Sequence, residues 1–242
     1  MRLLLKIEYD GTIFHGWQIQ PNVRTVQGVL EDAMGQIMEE HVRIIGSGRT
    51  DAGVHALGQV AHCDVPKNIP TDNIRMGLNS LLPEDVRILE CSHAPEGFHA
   101  QFRAVGKRYS YQILNRQNPT ALDRNRVWHL RHQLDLDAMV EGAGYLVGKK
   151  DFASFKSTGD DKTTVRDLKE LSISREGDLV TMAFEADGFL KYMVRNIVGA
   201  LTWVGVGRMS PEDIKTLLKA KTRKDAPKKA PPQGLTLERV YY

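Results

Sequence analysis

The amino-acid sequence predicts an α+β protein with two ferredoxin-like halves, whose strands form a mostly antiparallel sheet with flanking helices. Two observations support this fold class. Apolar residues alternate with a period of two in several short segments, as in strands, and recur at helical spacing in others. In the first half these segments follow the order β-α-β-β-α-β, which is the order of a ferredoxin-like unit. The second half repeats this pattern without repeating the residues.

The first predicted half comprises residues 1–104 and has four strands and two helices. Consecutive leucines over residues 3–5 predict a first strand that is buried on both faces. Thr25 and Asp72 each precede an apolar stripe at helical spacing, and both residue types cap the N-terminus of a helix. Pro83 ends the second helix. The predicted strands are 2–9, 42–45, 59–65 and 86–91.

The second predicted half, residues 105–242, adds helices and a basic loop to this pattern. Asp135 is a helix cap, a long apolar helix is predicted over 189–206, and Ser210 followed by a proline predicts the start of another helix. The basic segment 221–229 predicts an extended loop that is either solvated or in contact with an RNA backbone. The predicted strands are 107–114, 171–174, 179–186 and 235–242.

The composition is that of an ordinary folded protein. A total of 33 Lys and Arg against 30 Asp and Glu gives a formal net charge of +3 over 242 residues, so the distribution of charge matters more than its sum. Two cysteines do not make a disulfide framework. The longest nearly apolar run, Ile197–Gly207, is too short to cross a bilayer. These features predict a cytoplasmic protein.

A glycine-rich loop over residues 46–53 contains the first candidate for chemistry. Its glycines allow a tight turn and a close approach to a ligand, but it lacks the Gly-Lys-Ser/Thr ending of a phosphate-binding loop. Local composition alone favours Asp51 as a turn residue, since Gly and Asp are common in turns. Asp51, His55 and His62 are candidate metal ligands, but the scattered histidines form no recognisable metal-binding pair.

Cationic and aromatic residues are interleaved over residues 101–116, which contain no acidic residue. Cations contact phosphates and aromatic rings stack on unpaired bases, but the inward face of a strand is also often aromatic. Tyr109 and Tyr111 therefore fit either a base-binding surface or the protein core. Arg195 lies in the predicted apolar helix, where it needs a partner if it is buried and otherwise extends to the surface.

Five short segments carry a specific combination of residues. They are 14–18 (FHGWQ), 48–56 (GRTDAGVHA), 107–111 (KRYSY), 192–199 (YMVRNIVG) and 230–235 (APPQGL). In this order they resemble the TruA family of tRNA pseudouridine synthases. Each segment alone is a modest match, and the specificity comes from finding all five in the family's order. The resemblance extends from about residue 5 to the end of the chain, without a departure at the catalytic positions.

The resemblance implies a pseudouridine synthase fold and an isomerase that converts uridine to pseudouridine at positions 38–40 of the tRNA anticodon stem-loop. Asp51 matches the family's catalytic aspartate, and Arg195 matches the basic residue that pairs with it. Tyr109 matches the tyrosine that packs on the flipped base, and Arg49 matches the arginine that helps to open the RNA. The resemblance also implies a homodimer that uses neither a metal nor an organic cofactor.

Two other functions would explain part of the sequence. A noncatalytic RNA-binding protein with two ferredoxin-like sheets accounts for the basic and aromatic strand, but leaves Asp51 and Arg195 without a role. A metal-dependent hydrolase would use Asp51, His55 and His62 as ligands, and EDTA would abolish its activity. Nucleoside analysis of tRNA incubated with the pure protein distinguishes an isomerase from the RNA-binding protein.

Overall fold

The computed structural model describes residues 1–157, 163–222 and 226–242, and it confirms the predicted α+β class. In chain order the elements are β1 (Arg2–Tyr9), α1 (Val26–Met38), β2 (Ile44–Gly46), β3 (His55–Asp64), α2 (Thr71–Leu81), β4 (Val86–His93), β5 (Gly106–Asn115), β6 (Trp128–Leu130), α3 (Leu136–Gly144), β7 (Gly148–Asp151), β8 (Val165–Glu176), β9 (Leu179–Ala186), α4 (Met193–Gly205), α5 (Pro211–Ala220) and β10 (Leu235–Tyr241).

The chain divides into two units. The first comprises Met1–Val105 together with Thr236–Tyr242, and the second comprises Gly106–Leu235. The sequence pattern groups residues 236–242 with the second half, whereas in the structure they belong to the first unit, because β10 pairs in parallel with the start of β3. A pairing between such distant segments leaves no mark on a local apolar pattern.

The sheet of the first unit has the ferredoxin-like strand order. β1 lies antiparallel between β3 and β4, and β2 lies antiparallel against the end of β3. β3 has ten residues. It is long enough to pair with β2 through Cys63 opposite Ile44 and with β10 through His55 opposite Thr236. The loop that joins β2 to β3 therefore leads into a strand that three neighbours hold in place.

Strand β1 is buried on one face only, so the prediction of burial on both faces is wrong. Leu3, Leu5 and Ile7 are completely buried, whereas Leu4 between them is half-buried. Successive side chains of a strand point to opposite faces of the sheet, so an unbroken run of leucines still divides into an inner and an outer set. On the outer face Lys6 pairs with the sheet's edge strand β4.

Local side-chain caps begin three of the predicted helices. The Thr25 hydroxyl accepts a hydrogen bond from the backbone N–H of Gly28 at 3.3 Å. The Asp135 carboxylate accepts one from Ala138 at 3.0 Å. Ser210 starts α5 with a capping box, followed by a proline in the first turn. These contacts satisfy N–H groups that have no partner inside the helix.

Two predicted helix starts are wrong. α2 begins at Thr71 after Pro70, so Asp72 lies inside the first turn and is not the cap. Pro70 occupies the N-cap position with ψ of 135° and provides no side-chain cap. α4 begins at Met193, later than the apolar run predicts, because Tyr192 has a left-handed backbone conformation with φ of 63°. A residue at positive φ cannot continue a right-handed helix.

In the second unit, antiparallel pairing joins β5 to β9, β9 to β8, and β8 to β7, while β6 runs parallel to β5. The helices α3, α4 and α5 contact one another. α4 is buried along nearly its whole length, as its apolar sequence predicts. β6 and β7 have only three and four residues, too few to show an alternating pattern in the sequence.

Within the described residues, no helix combines the length and the apolar character that a membrane crossing requires. The predicted basic loop 221–229 lies only partly within the described ranges, because residues 223–225 fall outside them. Of its described residues, Lys228 and Lys229 are exposed, and Pro227 is buried.

Candidate active site

The loop that carries Asp51 joins β2 to β3, and buried polar contacts anchor its start. Ser47 donates its backbone N–H to the carbonyl of Val60 and its hydroxyl to the side-chain oxygen of Gln59, both at 2.7 Å. The Gln59 amide nitrogen donates to the carbonyl of Gly48 at 3.0 Å. Gln59 is completely buried, and a buried amide with both ends satisfied holds its partners firmly.

Thr50 anchors the middle of the loop. It is buried, and its hydroxyl shares a hydrogen bond of 2.7 Å with the hydroxyl of Tyr9. The backbone N–H of Trp17 donates to the Thr50 carbonyl at 3.1 Å. Burial raises the pKa of Tyr9 to about 12, against the opposing effect of the Thr50 hydrogen bond. The phenol is therefore protonated at neutral pH, so that this contact is a hydrogen bond between neutral groups.

The segment 11–17 packs so closely against the loop that glycine is required there. A Cβ at Gly11 would collide with the carbonyl of Val54, and one at Gly16 would lie 2.6 Å from the Thr50 carbonyl oxygen. Gly16 also has φ of 90°, which side chains disfavour. The segment containing Phe14 and Gly16 is therefore part of the support of the Asp51 loop.

Arg49, Thr50 and Asp51 differ in exposure along three consecutive positions. Arg49 is exposed, Thr50 is buried and Asp51 is half-buried. The buried Thr50 thus lies between the guanidinium of Arg49 and the carboxylate of Asp51, and both of these groups are accessible to a ligand. At the end of the loop, the N–H of Val54 donates to the Asp51 carbonyl at 3.2 Å, which closes a turn around the aspartate.

His55 and His62, the other candidate metal ligands, make hydrogen bonds to the backbone. His55 Nδ1 accepts from the N–H of Gly11 at 3.0 Å and lies 3.2 Å from the Asp10 carboxylate. His62 Nδ1 accepts from the N–H of Ala100 at 3.1 Å. In the part of the chain that the structure describes, no group of three or more His, Cys, Asp or Glu residues is arranged to hold a metal ion.

Tyr109 and Tyr111 lie on the same face of β5, in the second unit, and both are buried. The Tyr111 hydroxyl donates to the carbonyl of Pro231 at 2.7 Å, and its ring meets Trp128 edge to face at 6.3 Å. A Cβ at Gly234 would lie 2.7 Å from the Tyr111 ring. Tyr111 is therefore a core residue.

Tyr109 has a different environment from Tyr111. It stands opposite Phe184 in the β5–β9 ladder and keeps 8% of its surface exposed. Its ring meets Phe189 edge to face, with centroids 5.1 Å apart and planes at 84°. Edge-to-face contacts are favoured by the charge distribution of aromatic rings, so Phe189 orients the Tyr109 ring.

Arg195 is buried in the first turn of α4, so the surface arginine that the sequence left open does not occur. Its Nε donates to the carbonyl of Ala230 at 2.8 Å, and the N–H of Ala230 donates back to the Arg195 carbonyl at 2.9 Å. Its guanidinium lies 5.2 Å from the centre of the Tyr192 ring. Arginine stays protonated in proteins, so α4 carries a permanent buried positive charge.

Several residues that support the site are not among its four candidate residues. Tyr9 is an ordinary strand position in the sequence pattern and Trp17 is marked only as part of the family segment 14–18, yet both hold the Asp51 loop. Gln59 is a polar residue between apolar neighbours of β3, and this contrast is a usable signal because buried amides need partners. Lys107 was grouped with the phosphate-binding cations, and burial lowers its pKa to about 8, so its charge is sensitive to mildly alkaline pH.

The structure brings Arg49 and Asp51 together in one loop of the first unit. Tyr109 and Arg195 both belong to the second unit, on β5 and α4. Phe189 contacts the Tyr109 ring and Ala230 holds the Arg195 side chain within the second unit. In the first unit, the contacts of Thr50 and Val54 hold the backbone around Arg49 and Asp51.

Comparison with known proteins connects these features. A family model described as tRNA pseudouridine synthase matches residues 6–103 and 143–242. The chain is similar to tRNA pseudouridine synthase A of Acetivibrio thermocellus, with 45% identity over 239 residues that cover 98% of each chain. It is also similar to tRNA pseudouridine synthase A of Afipia carboxidovorans, with 46% identity over 243 residues that cover 100% of this chain and 99% of the relative. The chain therefore belongs to the tRNA pseudouridine synthase A (TruA) family.

Proposed function

We propose that this tRNA pseudouridine synthase converts uridine to pseudouridine at positions 38–40 of the tRNA anticodon stem-loop, with Asp51 as its catalytic carboxylate. The setting of Asp51 carries this proposal. The residue is half-buried in a loop whose neighbouring polar residues Ser47 and Thr50 are buried and hydrogen-bonded to strands β3 and β1. An aspartate that merely formed a turn would not need such support.

The reaction is an isomerisation within one nucleotide. The bond from ribose C1′ to N1 of uracil breaks, the base turns, and C1′ bonds to C5. C5 loses a proton and N1 gains one, so the atoms balance without ATP or a redox partner. The enzyme must take the base out of the stack, assist the cleavage and retain the free uracil. Extruding a base costs a few kcal/mol, which contacts to the RNA must offset.

Asp51 provides an ionised carboxylate beside the ribose. It attacks C1′, adds to the base or removes a proton from the sugar, and the proposal holds for each of these three routes. In all of them the carboxylate must be held within reach of the sugar, because loss of orientation is costly to the rate. The hydrogen bonds around Thr50 and Ser47 serve this purpose.

Tyr109 and Arg49 prepare the nucleotide for reaction. The Tyr109 ring packs on the extruded uracil, in the orientation that its contact with Phe189 imposes. The exposed guanidinium of Arg49 enters the RNA and occupies the space that the target base leaves. Both roles rest on the match of these positions to the family.

Arg195 pairs with Asp51 in this proposal. A positive charge beside the carboxylate favours its ionised form, and hydrogen bonds from a guanidinium also orient it. Burial of Arg195 and its two backbone contacts with Ala230 support the role, since they leave a permanent charge in a fixed position.

We also propose that the enzyme is a homodimer, in which one tRNA contacts both subunits.

Replacement of Asp51 by Asn or Ala is expected to abolish pseudouridine formation while tRNA binding persists. Asn retains the size and polarity of the side chain but cannot ionise. The measurement is nucleoside analysis of an unmodified tRNA transcript after incubation with pure protein, with filter binding in parallel. Asp32→Asn is the matched control, because Asp32 is an exposed carboxylate on α1 of the same unit, and this variant should retain activity.

Three outcomes of this experiment separate the competing functions. Substantial pseudouridine formation by Asp51→Ala protein would refute the assignment of Asp51. A wild-type protein that binds tRNA without changing any nucleoside would instead be a noncatalytic RNA-binding protein. Loss of wild-type activity in EDTA would point to a metal-dependent enzyme, whereas the isomerase proposed here should be unaffected.

A further inference from the structure

Tyr192 has the least favourable backbone conformation of the residues around α4. Its φ is 63° and its ψ is 8°, in the left-handed region, immediately before the first residue of the helix. Aromatic residues rarely adopt this conformation, which glycine adopts without cost. Such strained residues persist where their surroundings hold them, and they are common at functional sites. The position therefore raises the question of what the tyrosine ring does there.

Three cations surround the Tyr192 ring. Lys229 Nζ lies 3.7 Å from the ring centre, the Arg195 guanidinium 5.2 Å and Lys191 Nζ 5.4 Å. The face of an aromatic ring attracts cations through its quadrupole, so the ring holds together charges that repel one another. The result is a concentrated positive charge on the surface of the second unit, since both lysines are exposed.

The backbone of the fold sets the position of Lys229. The next residue, Ala230, exchanges two hydrogen bonds with Arg195, at 2.8 and 2.9 Å. The residue before it, Lys228, lies so close to α4 that a Cβ at Gly199 would collide with its carbonyl oxygen. Lys229 is thus anchored on both sides, and its ammonium group is presented at the ring in advance of any ligand.

We propose that Lys191, Lys229 and Tyr192 form a binding site for a phosphodiester group of the tRNA backbone. Two exposed ammonium groups placed at one ring suit an anionic ligand, and a phosphate on an RNA strand is the anion that the substrate brings. A base is excluded as the ligand of this ring face, because Lys229 at 3.7 Å already covers it. The inference rests on the proposed function for its source of phosphate.

The test measures how tRNA affinity depends on salt. Each phosphate contact that is lost lowers the slope of log Kobs against log salt concentration by about 0.7–0.9. Lys191→Gln and Lys229→Gln are each expected to reduce the slope by this amount, with binding of an unmodified tRNA transcript measured between about 50 and 200 mM KCl. Lys215→Gln is the matched control. Lys215, on α5, is also exposed and lies 5.9 Å from the centre of a tyrosine ring, that of Tyr145. Its substitution should leave the slope unchanged.

Substitutions of Tyr192 separate the ring from the strain. Tyr192→Phe keeps the ring and should keep the slope. Tyr192→Gly removes the ring and the strain together, so it should raise Tm by about 2–4 °C while lowering the slope. Tyr192→Gly protein with raised Tm and an unchanged slope would show that the ring has no part in binding.

The two proposals fail in different ways. Unchanged slopes for both lysine variants, with wild-type protein that binds tRNA and forms pseudouridine, would overturn this site and leave the proposed function intact. Wild-type protein that does not bind tRNA at all would overturn both.

Discussion

Thr50 fixes the backbone from which its neighbours Arg49 and Asp51 extend. Its side chain and its carbonyl are both held, by Tyr9 and by Trp17. Arg49 and Asp51 on either side therefore have a fixed backbone from which to extend. A reactive carboxylate benefits from this arrangement, because the fold restricts its motion before the substrate binds. The residues that set the geometry of the proposed chemistry are thus buried and chemically inert.

The proposed pair of Asp51 and Arg195 predicts a coupling that does not depend on residual activity. Arg195→Gln should lower kcat by roughly 10²–10³-fold, the loss expected for one preorganised donor, with a much smaller effect on tRNA affinity. If the two side chains pair in the free enzyme, the unfolding free energies of wild type, Asp51→Asn, Arg195→Gln and the double variant should reveal a coupling of about 0.5–3 kcal/mol.

Additive changes in the unfolding free energy would argue against this pair. The comparison requires that each single variant remains folded, which Arg195→Lys helps to establish, because it keeps the positive charge in the first turn of α4. A kcat that falls with Arg195→Gln in the absence of coupling would place Arg195 in contact with the RNA and not with the aspartate.

For helices and strands, the sequence predicted correctly those helix starts that depend on contacts between residues close together in the chain. Three helix caps could be predicted from the sequence, because each one contacts the first turn of its own helix: Thr25, Asp135 and Ser210. The start of α4 could not be predicted, because no local pattern marks the left-handed conformation of Tyr192, whose ring contacts Lys229 from a distant part of the sequence. Asp72 fits a cap by composition, but α2 begins one residue before it, at Thr71, with Pro70 in the N-cap position.

The same distinction applies to the loop over residues 46–53. Its glycines predicted a turn, and the family resemblance singled out Asp51 within it. The supports come from Tyr9, Gln59 and the segment 11–17 on other elements. None of these partnerships could be read from the sequence, because hydrogen bonds across a sheet depend on register. The role of Asp51 itself stays a prediction.

Gly199 provides a test of how α4 is held against the segment 228–230. In a helix interior, Gly→Ala ordinarily stabilises by about 0.5–1 kcal/mol. At Gly199 the new Cβ would collide with the Lys228 carbonyl, and such overpacking typically costs about 1–3 kcal/mol. Gly199→Ala is therefore expected to be destabilised in urea unfolding. Gly144→Ala is the matched control, since Gly144 lies in α3 with open space around it, and it should be neutral or stabilised.

A Gly199→Ala protein as stable as the Gly144→Ala protein would contradict this account of the packing. Because Arg195 bonds to Ala230 in the same contact, displacement of the segment should also reduce kcat. Gly144→Ala should leave kcat unchanged.

For the molecule as a whole, the position of the charged residues matters more for RNA binding than the net charge. A formal net charge of +3 is too small to attract RNA by itself. The cations that the fold places around Tyr192 are more effective, because they are close together and partly held by backbone contacts. Association with tRNA should consequently depend more on a few well-placed cations, such as Lys191, Lys229 and the proposed RNA contact Arg49, than on the net charge.

The stability of the molecule should fall in mild acid because of one buried histidine. The pKa of His62 is lowered to about 4, mainly by burial and in addition by the charges of His99 and Arg2. Its Nδ1 accepts a hydrogen bond from Ala100, which protonation would remove. In the unfolded chain the histidine has its ordinary pKa near 6.5. The unfolded state therefore binds a proton as the pH falls from about 6.5 to 4, and the folded state does not.

The sign follows from this difference. Stability is complete above about pH 6.5 and is lost as the pH falls towards 4, by on the order of 1–2 kcal/mol after allowance for solvent screening. Urea unfolding of wild type at a series of pH values would measure the loss. His62→Asn keeps an acceptor near Ala100 but has no titrating ring, so it should be less stable at neutral pH and show a flatter pH dependence. His93→Gln, at an exposed position on β4, is the control and should follow the wild-type curve. A His62→Asn curve parallel to that of wild type would mean that carboxylates alone cause the acid sensitivity.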